Sequence, residues 1–231
     1  MSKILYLGPV CLPDSGWREG DCSNFLKCAP GALAWWLRKQ GEDVFRHNYP
    51  LYKGIGVGFD WLISYGYRHV IPQKVLDLFP GRAINLHIGL LPWNRGADPN
   101  LWSWAEDTPK GVTIHQMDVG IDTGPIFFQV PMCTAWSARV VRENGTLRST
   151  YEDLHATIQA AFKIMWWGIC DGSTPHPQPY GGSYHTKADR AKVQHLLEPL
   201  GWDTPVSVFD SWAADNQMSE ACIEKQREET T

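Results

Sequence analysis

The stretch that decides how this chain is read is Ile84–Trp102, INLHIGLLPWNRGADPNLW. A short apolar run ends in Asn85-Leu86-His87, and Pro92, Gly96 and Pro99 then break every regular pattern. Apolar residues bounded by turn formers read as a strand, here Arg82 to Leu86, followed by a loop. Residues two apart on a strand share a face, so Asn85 and His87 point the same way. In open α/β sheets, ligands bind beyond the carboxyl ends of the strands. An amide and an imidazole at such an end are placed for chemistry.

Working outward, the upstream segments alternate in type. Lys3–Leu7 reads as a first strand, and Gly8 to Asn24 as a long loop. A helix is expected over about Ala32–Gln40, closed by Gly41. Strands are expected at Val44–His47 and Phe59–Tyr65, the latter almost wholly apolar, as a central parallel strand should be. Gly66-Tyr67-Arg68 breaks it, and Pro72 opens a helix through Leu78. Downstream, Gly111–Met117 and Ile126–Val130 read as strands and Ser149–Ile169 as an amphipathic helix. A Pro-, Gly- and His-rich stretch then leads to a helix near 188–198 and a polar tail, Gln217–Thr231, expected to fray. The alternation predicts a Rossmann-like α/β domain over residues 1–180, with a mostly parallel sheet and flanking helices. Residues 181–231 form a short C-terminal extension.

Composition excludes several classes. The chain has 231 residues, 43% hydrophobic and 20% charged, as in a folded globular protein. A net charge of −4 gives no basic field for a polyanion. No apolar run is long enough to span a membrane, and the N-terminus MSKILYLGPV has no signal-peptide core, so a cytoplasmic protein is expected. The cysteines at 11, 22, 28, 133, 170 and 222 contain no C-x-x-C pair, which points to reduced thiols and away from structural zinc. Twelve tryptophans are many; most are expected in the core, with some available to stack on a ring-bearing ligand.

Two further segments belong with the opening one: Gly111-Val112-Thr113-Ile114-His115, and Asp118-Val119-Gly120-Ile121-Asp122-Thr123-Gly124-Pro125. An amide beside an imidazole can polarise a carbonyl and hold a developing oxyanion. An aspartate on a neighbouring glycine-flanked loop can orient the imidazole or take a proton. Each piece alone is weak. A lone histidine ending a strand is more often structural, Asp-Thr-Gly is ordinary turn chemistry, and His87, His115 and Asp122 could also be read as metal ligands.

Taken jointly, INLHIGLLPWNRG, GVTIHQMD and DVGIDTGPI resemble the formyltransferases that use N10-formyltetrahydrofolate. The resemblance is close over roughly residues 59–131 and looser on either side. It implies the formyltransferase fold, N10-formyltetrahydrofolate as co-substrate and no metal, since the formyl donor is already an activated amide. Asn85, His87 and Asp122 match the family's catalytic trio, and His115 its supporting histidine. Leu62 to Pro72 looks like the folate-pocket segment, which makes Ser64, Tyr65, Gly66, Tyr67 and Arg68 cofactor-binding candidates. Asp118, Gly120 and Ile121 would close the other side of that pocket. Two departures stand out. The usual Pro-Ser after the histidine is Ile88-Gly89 here, which loses a hydroxyl. The chain also passes from Val44–His47 almost directly to Phe59, where longer members carry another βα unit.

The family serves several acceptors. The tail SEACIEKQREETT is not the basic domain of the tRNA enzymes, and no short Gly-rich phosphate loop follows the first strand beyond a faint Ser23-Asn24 echo. The segment Trp93 to Asn100 and the stretch GGSYHTKADR look like the small sugar N-formyltransferases. The expected acceptor is therefore a nucleotide-linked amino-dideoxy sugar of surface polysaccharide (lipopolysaccharide, O-antigen) synthesis. Trp93 or Tyr184 would stack on the base, and Arg95 or Lys187 would meet the pyrophosphate, with Gly96 beside them. Packing or plain surface is the alternative for each. Glycinamide ribonucleotide, methionyl-tRNA and water remain as alternative acceptors. Neither a nucleic-acid nor a membrane partner is expected, and a homodimer is implied by resemblance alone.

Overall fold

The structure is a computed structural model and describes residues 1–8, 33–52, 54–132, 141 and 143–213. The expected loop to Asn24, the polar tail and five of the six cysteines lie outside the described residues; Cys170 is a free thiol. The described chain divides into two compact units that interleave in sequence. The first takes Met1–His87, Ile114–Phe128 and Gln159–Gln178, and the second Ile88–Thr113, Gln129–Ile158 and Pro179–Thr231.

The central sheet is built from β1 (Lys3–Leu7), β2 (Asp43–His47), β3 (Trp61–Tyr65), β4 (Ala83–His87), β6 (Gly111–Gln116) and β7 (Ile126–Pro131), in the order β2-β1-β3-β4-β6-β7. The first four strands are mutually parallel. β3 lies between β1 and β4, and all five of its residues are buried, which is why FDWLISY reads as an unbroken apolar run. Of the six strands β6 is reversed, and β7, antiparallel to β6, runs with the first four, so the sheet is mostly parallel as expected. Met117 N–H donates to Ala83 O (2.7 Å) while His115 faces Asn85, so β6 runs antiparallel to β4. Gln116 N–H donates to Pro125 O (2.8 Å), which closes a β6–β7 hairpin. The sheet is therefore mixed.

Helices cover both faces of the first unit. On one, Val75 and Leu76 of α2 (Gln73–Leu76) pack with Phe79 against Leu5, Leu7 and Leu62. On the other lie α1 (Leu33–Lys39) and the C-terminal part of the long helix α4 (Leu147–Cys170). There Trp166 meets Trp61 edge-on at 5.4 Å and stacks on Phe162, which in turn meets Trp36. These aromatics fulfil the packing role expected of most tryptophans.

The second unit has its own core. All of α3 (Pro99–Ala105) is buried, and Leu101, Trp102 and Trp104 pack with Leu147, Val193, Leu197, Val206 and Phe209. A two-residue parallel ladder joins β5 (Arg95–Gly96) to β8 (Tyr184–His185). The helix expected near 188–198 is instead two 3-10 stretches, Lys187–Lys192 and Gln194–Leu197. A reciprocal Thr186–Asp189 capping box starts the first, and Val193, at φ −112°, interrupts to bury its side chain. Glu198 is extended ahead of Pro199, as a residue preceding proline prefers. Among the described residues no helix is long and apolar enough to cross a membrane.

Candidate active site

Asn85, His87, His115 and Asp122 all fall in the first unit, and the structure brings them together. β4 supplies Asn85 and His87 from one face at its carboxyl end. Ser64 of β3 lies in register with Asn85. His115 comes from β6 and is 2% exposed; His87 is 6% exposed. Asp122 comes from the loop between β6 and β7. That loop is built on its own polar contacts. The Asp118 carboxylate accepts from Gly120 N–H (3.1 Å) and from the Thr123 hydroxyl (2.6 Å). A Cβ on Gly124 would lie 1.9 Å from Gln116 O, so only glycine fits this return to the sheet. Asp122 itself is left-handed, at φ 55°.

The four polar side chains fix one another's chemistry. Asn85 Nδ2 donates to Asp122 Oδ1 at 3.0 Å and lies 3.2 Å from His115 Nε2. His115 Nδ1 lies 2.9 Å from Gln116 O. A carbonyl oxygen only accepts, so His115 carries its proton on Nδ1, and Nε2 is left to accept from Asn85. The Asn85 amide is thereby oriented with its NH2 toward both partners. Asp122 Oδ2 lies 3.4 Å from His87 Nδ1, a charge contact that holds the ring with Nδ1 toward the carboxylate. His115 Nε2 is also 3.4 Å from Asp122 Oδ1. The arrangement offers an amide, an imidazole oriented by a carboxylate, and a second histidine whose Nε2 accepts from the amide. Among the described residues no group of three His, Cys, Asp or Glu side chains has metal-holding geometry.

The folate-segment candidates lie at the same carboxyl edge of the first unit. Ser64 and Tyr65 are buried in β3. A Cβ on Gly8 would lie 1.9 Å from Tyr65 O, so the chain leaving β1 passes directly beside the end of β3. Gly66 has φ 69°, and Arg68 is exposed. The Tyr67 hydroxyl donates to Tyr49 O at 2.7 Å while its ring packs against the core around Leu62 and Val75, so this side chain anchors the segment. Asp118, Gly120 and Ile121 are exposed, with Ile121 at 46%.

The acceptor candidates belong to the second unit. Arg95 and Gly96 pair with Tyr184 and His185. Gly96 has φ 87°, and a Cβ there would lie 2.9 Å from the Tyr184 ring, so that ring lies against bare backbone. Trp93 and Tyr184 are 36% and 50% exposed, and Lys187 is exposed.

Sequence reasoning missed two supports. In the first unit, Gln178 Nε2 donates to both Asp122 O and Gly124 O, each at 2.8 Å. In the second, the Thr113 hydroxyl donates to Gly89 O (2.7 Å) and accepts from Leu91 N–H (3.1 Å) and Gln129 Nε2 (2.9 Å). The loop after β4 is thus tied to a buried hydroxyl. A clue to Thr113 was present in the Gly-x-Thr-x-His motif; nothing in the sequence marked Gln178.

Comparison with known proteins bears on this geometry. Residues 54–142 match the family described as Formyl transferase. The formyltransferase PseJ from Anoxybacillus kamchatkensis, solved in complex with UDP-4,6-dideoxy-4-formamido-L-AltNAc and tetrahydrofolate, is 42% identical. The match covers 92% of this chain and 100% of PseJ, with a TM-score of 0.76. The chain belongs to the formyltransferase family. The chain is also 43% identical over 99 residues to a methionyl-tRNA formyltransferase from Solibacter usitatus, covering 42% of the chain and 32% of that relative. It spans about a third to a half of the length of the curated relatives it matches. A 4-N formyltransferase from Francisella tularensis shares its fold at 20% identity and a TM-score of 0.63, over 83% of this chain and 79% of that one.

Proposed function

We propose that this formyltransferase moves the formyl group of N10-formyltetrahydrofolate to the amine of a nucleotide-linked amino-dideoxy sugar. The observation that carries the reading is the likeness to PseJ over the whole of that protein, which was solved with a UDP-linked formamido sugar and tetrahydrofolate. The methionyl-tRNA relatives match over less than two thirds of their own length, which weakens the reading they would favour.

The mechanism follows from the groups at the end of β4. The acceptor amine attacks the formyl carbon, and the carbonyl oxygen becomes an oxyanion. Protonated His87 faces that charge, with Asp122 holding its Nδ1 side. Asn85 contributes an N–H. The one directed at His115 makes the longer contact, 3.2 Å, and is the one a formyl oxygen draws off as charge develops. Collapse breaks the bond to the folate nitrogen. The proton lost by the amine passes through the His87–Asp122 pair to that nitrogen, so charge balances over the turnover. Before transfer, His115 Nε2 accepts from the amide and sets its orientation. Ser64 to Arg68 and the Asp118–Ile121 loop would bind the folate.

On this reading Trp93 and Tyr184 stack on the nucleotide base, while Arg95 and Lys187 meet the pyrophosphate and Gly96 allows close approach. Residues 1–180 act as the catalytic domain and 181–231 as its extension, in a cytoplasmic homodimer that serves surface-polysaccharide synthesis. The test is tetrahydrofolate release from N10-formyltetrahydrofolate with a panel of nucleotide-linked amino sugars, glycinamide ribonucleotide, methionyl-tRNA, or no acceptor. Release that depends on one amino sugar is the expected result. Release with methionyl-tRNA or glycinamide ribonucleotide alone moves the acceptor class, and release without acceptor makes the protein a hydrolase.

A further inference from the structure

The geometry points to Gln178 as a positioning residue for formyl transfer that acts through the backbone of Asp122. The inference rests on the proposed role of Asp122. Gln178 lies beyond residues 54–142, the span that matches the family.

Asp122 has to hold a carboxylate within 3.4 Å of three side chains, Asn85, His87 and His115, from a backbone conformation that non-glycine residues seldom adopt, φ 55°. Gln178 bonds this turn from outside it. Its amide has two hydrogens, and both are given to this loop, one to Asp122 O and one to Gly124 O, each at 2.8 Å. The reach of Gln178 is set by its own segment. Ile126 at the start of β7 and His176 exchange both backbone hydrogen bonds, at 2.7 and 2.9 Å. In an extended segment residue 178 shares a face with residue 176, so the register that pairs His176 also directs Gln178. Gln178 is half-buried, and it bonds the backbone on either side of Thr123.

This assigns the side chain a task different from general loop stability. The Asp118 carboxylate already bonds Gly120 and Thr123 within the loop. Gln178 instead fixes where the Asp122 end stands relative to β4 and β6, and hence the 3.0 Å contact to Asn85 and the 3.4 Å contact to His87. A misplacement of about 1 Å at a reacting centre costs on the order of 10²-fold in rate.

The test is a double-mutant cycle on turnover with the productive acceptor. Gln178→Met keeps the volume and removes both donors; Gln178→Glu keeps the shape and sets acceptor oxygens against two carbonyls. Each is expected to lower kcat by roughly 10–100-fold, with the acceptor KM within about threefold of the wild type. In an Asp122→Asn background, Gln178→Met should cost less than about threefold more, because the group it positions is already gone. Losses that multiply in full, or a folded Gln178→Met variant within about threefold of the wild type, overturn the proposal. Near-normal turnover in Asp122→Asn removes the role of Asp122 and this proposal with it. If no acceptor is turned over, the cause lies in the functional reading, and the positioning is read by amide deuterium exchange over residues 118–124. Exchange accelerated at least about tenfold in Gln178→Met supports it; unchanged exchange overturns it.

Discussion

Four buried histidines sit in two regions and behave as different residues. At the end of β4 and in β6, His87 lies against the carboxylate of Asp122, and His115 braces Asn85, which donates to the same carboxylate. In the second unit, His155 is buried edge-on against Tyr151 (4.2 Å), and His185 lies flat on Trp102 at 4.0 Å with Glu106 3.1 Å from its Nε2. Similar burial thus serves two ends. The first pair is surrounded by polar groups that decide its protons. The second is held mainly by rings, which fill space and tolerate a histidine. Burial alone does not mark a site; a carboxylate and an amide placed against the imidazole do.

The contrast can be broken by experiment, beginning where the largest effect is expected. Asn85→Ala or Asp122→Asn should lower kcat by about 10²–10³-fold without unfolding, the usual cost of one lost oxyanion-type contact. Near-normal turnover in either folded variant would reduce the first region to packing.

The next effect belongs to the second region. Burial pushes the His155 pKa down from 6.5 to about 4. Below pH 6.5 the unfolded chain takes up a proton that the folded chain refuses until about pH 4. Stability therefore falls as pH drops through that window and is regained as pH rises. Between pH 6.5 and pH 5 the loss is about 2 kcal/mol. Thermal unfolding across pH should show this slope, and His155→Gln should flatten it. An equal slope in the variant would mean that another group drives it.

His115→Gln should lower kcat about tenfold, a loss of about 1.4 kcal/mol, because one neutral hydrogen bond to Asn85 is disturbed. A loss as large as that of Asn85→Ala would promote His115 from brace to reactant. The smallest effect is expected of His185→Phe, which keeps the stack on Trp102 and gives up a partly exposed carboxylate contact. Stability should change by less than about 1 kcal/mol with turnover unchanged. A large kcat loss there would erase the distinction between the two regions.

Much of the first region was legible in the sequence. Asn85 and His87 are two residues apart on a strand, so their shared face needs no tertiary information. The Asp118–Gly124 loop announces itself through its glycines. Gln178 was not legible, because its role exists only once His176 has paired with Ile126, and its Pro- and Gly-rich neighbours carry no period. The reversal at β6 follows from loop length. The connection 117–125 between β6 and β7 is too short for a parallel crossover, which needs a dozen or more residues. The segment 187–197 has the composition of a helix, and its capping box is real. Its failure to form one came from Val193, whose burial in the second core outweighed local preference. The Arg95–Gly96 ladder with Tyr184–His185 joins residues far apart in the chain through two-residue strands, too short to leave a pattern.

The left-handed backbone at Asp122 has a consequence for how its carboxylate is weighed. Aspartate and asparagine offset the strain of φ 55° with a short polar side chain that can hydrogen-bond locally, whereas alanine has none and carries more of the roughly 1–2 kcal/mol the conformation costs. An alanine scan would therefore sum two losses at this position, charge and chain geometry, and overstate the first. Only the asparagine exchange reads the charge by itself, and the gap between the two variants would measure how much of the apparent chemistry at Asp122 is the shape of the turn.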